Sequence, residues 1–550
     1  MPRKIILFYG TFVDLPRVEY GQTHKLSIRN GALWVSTETG RIQGSDWTIA
    51  NEAQLDALIK RNGWRGVKIV GAREDQNEFF FPGFIDTHIH APQYPNSGLF
   101  GSSTLLDWLE TYTFPLESSL GDTAKARTAY NTVISRTLAN GTTCASYYAT
   151  IHVQSTNLLA SLCHARGQRA LIGRVCMDNP SFCPEYYNDE SAEDSITKTT
   201  ETITHIHALD AGSIESERLV KPILTPRFAP TCSAEALTSL GDLAKAYSPP
   251  LHIQTHISEN LSEVDLVKSI FPSHDSYAAV YDACSLLTPR TILAHAVHLT
   301  QSEKTLIASR KAKISHCPSS NSALGSGLAP VRNLLDQGIT VGLGTDVSGG
   351  YSPSILEAVR QACLVSRLLR HTKHPAPATS AEQSTAIAGP DDSEKSQDGR
   401  EVLSVEEALY LATRGGAAVV DMSDDLGGFE EGMFWDVQLI RLGRSVPSES
   451  ARVDDGEGVK GGADSVVDIF GWESWTEKVH KWVWTGNDRN VRRVWVRGKL
   501  VHELDDGSSA GESGLVGRVF GSASAGDWAR WAVGGLGVAA LGIVLGRRLP

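Results

Sequence analysis

FFPGFIDTHIHAPQYPNSG, residues 80–98, is the stretch from which the fold of this chain is read. It opens as a short apolar run, is punctuated by Pro82-Gly83, and closes on Asp86 and the pair His88 and His90. Alternate residues of a strand share a face, so both imidazoles point the same way. Two imidazoles on one face are the usual nucleus of a zinc or iron site. A chain with 17 His can contain His-x-His by chance, so the pair needs support from elsewhere.

Seven further apolar runs follow: TTCASYYA, RALIGRVCM, KPILTPRF, LHIQTH, RTILAHA, KISHCP and TVGLGTD. Each is separated from the next by tens of residues of helical character. Strands alternating with helices imply a parallel sheet, and eight such units predict a TIM-like (β/α)8 barrel. A doubly wound sheet is the alternative. Nearly every run closes on His, Asp, Arg or Cys, as expected where a barrel presents its catalytic face, and this favours the barrel.

The later run ends supply the missing ligands. LHIQTHISEN brings His256 and, three residues on, Glu259; RTILAHAVHL brings His295; TVGLGTDVSGG ends on Asp346. Asp346 could instead cap the next helix, and His252 reads as a strand filler. Three imidazoles and a carboxylate leave a coordination position for water, as a catalytic site requires. A bound metal would bring that water's pKa to about 7. Asp346 is then suited to accept its proton and Glu259 to carry a proton to a leaving group or ring nitrogen. Lys221 stands at the start of the fourth run, away from its C-terminal end. Cys317 in HCPSSN reads as a small buried residue rather than a nucleophile, because no orienting partner is evident.

The 550 residues carry 51 Lys+Arg against 63 Asp+Glu, a formal net charge of -12. That balance offers nothing to a phosphate backbone, so no nucleic-acid partner is expected. The eight Cys are scattered without a CxxC pair, which suggests a reducing compartment and a cytoplasmic location. The missing CxxC also excludes the nucleoside-deaminase type of zinc site. MPRKIILFYG reads as a first strand rather than a signal peptide.

Four segments are expected. Residues 1–75 form the first part of a small β-sandwich domain, and 76–425 the metal-dependent barrel, with a disordered Pro/Ser-rich insertion at 371–400. Residues 426–505 return to the β-domain, and 506–550 form a flexible tail. Within the tail, WAVGGLGVAALGIVLG (531–546) is free of charge but shorter than the roughly 20 residues of a comfortable span. It reads either as a buried or docking helix or as a short C-terminal tail anchor in contact with a membrane.

The segments PGFIDTHIHAPQYPNSG, HIQTHISEN, AHAVHL, HCPSSNSALGSG and GLGTDVSGGYSPSILEAVRQA together resemble the amidohydrolase superfamily. With TLLDWLETYTFPLE and LTPRFAPTCS, they are similar to its guanine deaminases over about residues 79–420. The resemblance implies hydrolysis of guanine to xanthine and ammonia by a zinc-bound hydroxide, in purine catabolism and salvage, by a homodimer. It implies one zinc per subunit on His88, His90, His256 and Asp346, a donor set that iron also suits. His295 would orient the water, Gln93 would reach a purine edge, and Arg227 with Phe228 beside it would bind the oxygen at C6. Glu259 would protonate N3. His90, His256, Glu259 and Asp346 would also face the substrate. Two rivals stand beside this reading: an aminohydrolase of another nucleobase or heterocycle, and a non-catalytic scaffold that has lost its metal. The 371–400 insertion and the tail lie outside the resemblance.

Overall fold

The computed structural model describes residues 5–18, 23–372, 399–446 and 465–504. The quoted opening stretch divides at Gly83. Glu78–Pro82 is one strand and Phe84–His90 the next, and they enter different sheets. A Cβ on Gly83 would lie 2.2 Å from Thr143 Oγ1, so this close approach of backbone to the neighbouring strand requires glycine.

Phe84–His90 begins a ring of eight parallel strands. The others are Thr142–Tyr148, Arg169–Gly173, Val220–Pro226, His252–Ile257, Thr291–His295, Lys313–His316 and Val341–Leu343. Each pairs in parallel with its neighbours in chain order. All eight runs expected to form strands are found here. Between the eighth and first strands the ring closes just past Leu343. There the Asp346 amide donates to the His88 carbonyl at 2.9 Å and the His90 amide to the Val347 carbonyl at 3.1 Å. Asp86, fully buried, latches the same seam by accepting from the Thr345 amide at 3.0 Å and from its hydroxyl.

Helices return the chain between strands, and their starts are written in capping residues. Asp122, Ser191, Ser233, Asn260 and Thr300 each accept a backbone N–H at a helix start. Asn260 with Glu263 and Thr300 with Glu303 form reciprocal capping boxes. The barrel interior holds polar pairs that satisfy one another. Thr87 Oγ1 meets Ser315 Oγ at 2.6 Å, and Gln254 bridges Ser146 and Thr225 at 2.8 and 2.9 Å.

Segments from both ends of the chain build the second, mixed sheet. Lys499–Glu503, Val491–Val496, Val437–Arg441, Glu78–Pro82, Ile5–Asp14, Ser27–Ser36 and Ile42–Asp46 are hydrogen-bonded in that order, and Lys68–Gly71 pairs with Ile5–Asp14. A helix, Glu52–Arg61, covers part of it. Trp482 joins the two bodies of structure: fully buried, it stacks on Phe84 at 6.0 Å and meets Phe81 edge-on at 5.2 Å.

The helix Ile355–Thr372 runs two residues into the expected insertion. Residues 373–398 lie outside the described residues, as does the apolar stretch 531–546 with the tail-anchor reading placed on it. Among the described residues, no helix is long and apolar enough to cross a membrane.

Candidate active site

Five strand ends and the turns after them converge on one cavity of about 380 Å³, its open mouth included. This is at the small end for ligand sites. His90, Gln93, Arg227, Phe228, His256, Glu259, His295 and Asp346 line it, and Leu105, Trp108, Leu109 and Leu324 form an apolar wall. Of the metal, catalytic and substrate residues expected from the sequence, all but His88 line this cavity, and the His88 ring lies 4.9 Å from that of His90.

His88, His256, His295 and Asp346 each bring one donor atom within 4.8 Å of the others. His90 joins them, with its Nε2 3.2 Å from His256 Nε2 and 3.4 Å from Asp346 Oδ1. His88 Nε2 approaches the same Oδ1 at 3.1 Å. A tetrahedral ion with bonds of about 2.0–2.1 Å has ligand atoms about 3.3 Å apart, and these three edges match that spacing. The donor chemistry also fits. His256 donates its Nδ1–H to the Arg227 carbonyl at 2.6 Å, so its Nε2 carries the free lone pair toward the centre. The Nε2 atoms of His88 and His295 are buried without a hydrogen-bond partner. Burial depresses the pKa of His88, His90 and His256, keeping them in the neutral form that binds metal.

The two oxygens of Asp346 face different neighbours: Oδ1 faces His88 and His90, and Oδ2 lies 3.7 Å from His295 Nε2. Burial alone would raise this carboxyl's pKa. The imidazoles around it, His88 foremost, hold it well below the ordinary range. His295 Nε2 faces two carboxylates, with Glu259 Oε2 at 3.4 Å as well as Asp346, and its Nδ1–H donates to Asn321 Oδ1 at 2.8 Å. Burial works against a charged His295, but Glu259 and Asp346 more than offset it, so its pKa is raised. Burial brings the Glu259 carboxyl to about 7, and Ser326 Oγ donates to its Oε1 at 2.9 Å. His295 and Asp346 have φ of 73° and 47°, a left-handed backbone that costs non-glycine residues about 1–3 kcal/mol and clusters at functional sites.

Arg227, 2% exposed, is held by Glu117 through both ends of its guanidinium, NH1 to Oε2 at 2.7 Å and NH2 to Oε1 at 3.3 Å. Gln93 donates to the same carboxylate at 2.8 Å and accepts from the Ser348 amide at 3.2 Å. Phe228 packs against the His256 ring at 6.4 Å. His252 is far from this chemistry, bonded to Asp421 at 3.0 Å and Arg290 at 3.1 Å. Cys317 is buried, and its thiol is pushed well above the usual range by that burial. Lys221 is the second residue of its strand, facing Glu215 at 3.9 Å and away from the ligands.

Sequence reasoning missed Glu117, Asn321 and Ser326. All three stand inside the quoted segments TLLDWLETYTFPLE and HCPSSNSALGSG, but their spacing marks no face and no partner.

The pattern of the amidohydrolase family matches residues 79–501 of the chain. The chain belongs to the amidohydrolase family. A "Probable guanine deaminase" of Schizosaccharomyces pombe is 48% identical to this amidohydrolase over 424 residues, covering 77% of this chain and 71% of that protein. The "Guanine deaminase" of Homo sapiens is 39% identical over 506 residues, 91% of this chain and 97% of its own. The crystal structure of a guanine deaminase from C. acetobutylicum, with bound guanine in the active site, superposes with a TM-score of 0.71 at 29% identity. It covers 91% of this amidohydrolase and the whole of that chain.

Proposed function

We infer that this amidohydrolase is a guanine deaminase, converting guanine and water to xanthine and ammonia. The observation that carries the reading is one cavity lined by both a His/Asp donor set at metal-ligand spacing and the guanidinium of Arg227. His88, His90, His256 and Asp346 would hold one zinc per subunit. Bound there, zinc lowers the pKa of a water from 15.7 to about 7 and so supplies a nucleophile at neutral pH.

The chain's own residues do the rest. Arg227 offers planar, permanently charged donors to the oxygen at C6 of guanine, while Gln93 meets a ring edge and Phe228 packs beside it. This places C2 toward the donor set. Asp346 Oδ2 takes a proton from the attacking water, and His295, facing Asp346 and Glu259, orients that water. Glu259 delivers a proton to N3 as the oxygen adds to C2. Asp346 then passes the proton it took from water to the 2-amino group, the C2–N bond breaks and ammonia leaves, and the remaining C2–OH proton returns to Glu259 as the xanthine carbonyl forms. The apolar wall of Leu105, Trp108, Leu109 and Leu324 limits water at the ring. The family resemblance implies a homodimer, and eight free, buried thiols fit a reducing, cytoplasmic location.

The test is turnover of guanine by metal-loaded protein, set against turnover of adenine and cytosine. Comparable rates on all three would replace this reading with a general nucleobase aminohydrolase.

A further inference from the structure

We propose that Glu117 is the residue that makes this pocket selective for a carbonyl at C6. This rests on the guanine reading above and extends it to a side chain that touches no substrate. Glu117 is fully buried on the helix Phe114–Ser119 and is not part of the cavity wall. Its two oxygens collect four donors: both terminal nitrogens of Arg227, the side-chain amide of Gln93 at 2.8 Å, and the Tyr187 hydroxyl at 2.8 Å.

The consequence is orientational. A free Gln side chain can present either its N–H or its carbonyl to a ligand, and so tolerates either kind of partner. Here Glu117 takes one N–H of Gln93 while the Ser348 amide occupies its carbonyl, so the amide cannot turn over without losing both bonds. Arg227 has no acceptor at all. The corner of the cavity lined by these two residues therefore meets a ligand chiefly with N–H groups, the Gln93 carbonyl being already engaged by Ser348. An oxygen at C6 satisfies them, whereas an amino group at C6 sets donor against donor and leaves buried polar groups unpaired. Glu117 also neutralises the guanidinium, which would otherwise be a lone buried charge.

The experiment compares zinc-loaded wild type, Glu117→Gln and Tyr187→Phe on two ligands. Guanine carries the C6 oxygen; 2-aminopurine has the same ring and 2-amino group without it. In Glu117→Gln, KM for guanine should rise about 100-fold, while the inhibition constant of 2-aminopurine against guanine stays within about threefold. In Tyr187→Phe, which keeps the charge pair and removes one bond to the carboxylate, guanine KM should rise about fivefold with 2-aminopurine again unmoved. Equal losses on both ligands would reduce Glu117 to a structural role, and unchanged guanine KM in either soluble variant would remove it from recognition altogether. If Glu117→Gln does not fold, the Tyr187→Phe ratio decides the matter. Wild type idle on guanine overturns the proposed function itself; wild type active with unselective variants overturns only this inference.

Discussion

His256 donates its Nδ1–H to the backbone carbonyl of Arg227 at 2.6 Å, so the proposed metal ligand and the guanidinium proposed to read the purine meet at the residue that follows the fourth strand. The contact uses the backbone of Arg227, while the side chain is held by Glu117 at 2.7 Å. Binding the metal and reading the substrate are thus separable by mutation.

Arg227→Ala keeps the carbonyl and removes the guanidinium. Zinc content, measured on purified protein, should stay at one per subunit while kcat/KM for guanine falls about 100-fold or more. The thermal midpoint should also drop, since Glu117 is left as an uncompensated buried charge, a loss of about 3–5 kcal/mol. Zinc lost together with activity would show that the two roles are not separable.

Metal removal should act on both activity and stability. Five donor-bearing side chains converge, with two buried Nε2 atoms unpartnered, so the ion stabilises the folded chain as any ligand specific for that state does. Dialysis against a chelator should abolish turnover and lower the melting temperature by several degrees, and added zinc should restore both. An apo protein with an unchanged melting curve would mean that the cluster does not hold the ion in solution.

Glu259→Gln tests the proton carrier. The amide fits the same space and still accepts from Ser326, yet carries no proton to N3. We expect kcat to fall about 100- to 10,000-fold with KM little changed and zinc retained. A kcat within about tenfold of wild type would move the role to another group.

The eight strands were legible as apolar runs, and the first, fifth, sixth and eighth carry His88, His90, His256, His295 and Asp346 at or just past their ends. Capping chemistry at Asn260 and Thr300 was equally local. Glu117 was not legible. It stands near the end of an ordinary helical stretch, and its importance arises only when the fold brings Arg227, 110 residues away, against it. Ser326 and Asn321 were hidden for the same reason, since the partners that define them, Glu259 just past the fifth strand and His295 at the end of the sixth, are distant in sequence. Pro82-Gly83 was legible as punctuation, but the passage of the two halves into different sheets was not, because it depends on pairing with strands distant in sequence.

His252 gives a pH-dependent contribution to stability. Burial lowers its pKa to about 4; Asp421 faces its Nε2, Arg290 its Nδ1, and Lys221 adds a further unfavourable positive charge. The unfolded chain binds this proton near pH 6.5 and the folded chain only near 4. Its stabilising contribution is therefore full above about pH 6.5 and is lost as pH falls toward 4, at most about 3 kcal/mol. Melting temperatures of wild type and His252→Gln, at fixed zinc, should converge as pH drops through this window. Parallel curves would place the acid sensitivity elsewhere.

Guanine consumption is the most direct measurement of the central claim. Zinc-loaded protein incubated with guanine should release xanthine and ammonia in equal amounts, stop when chelator is added, and resume with zinc. Metal-loaded protein that leaves guanine intact would contradict the account.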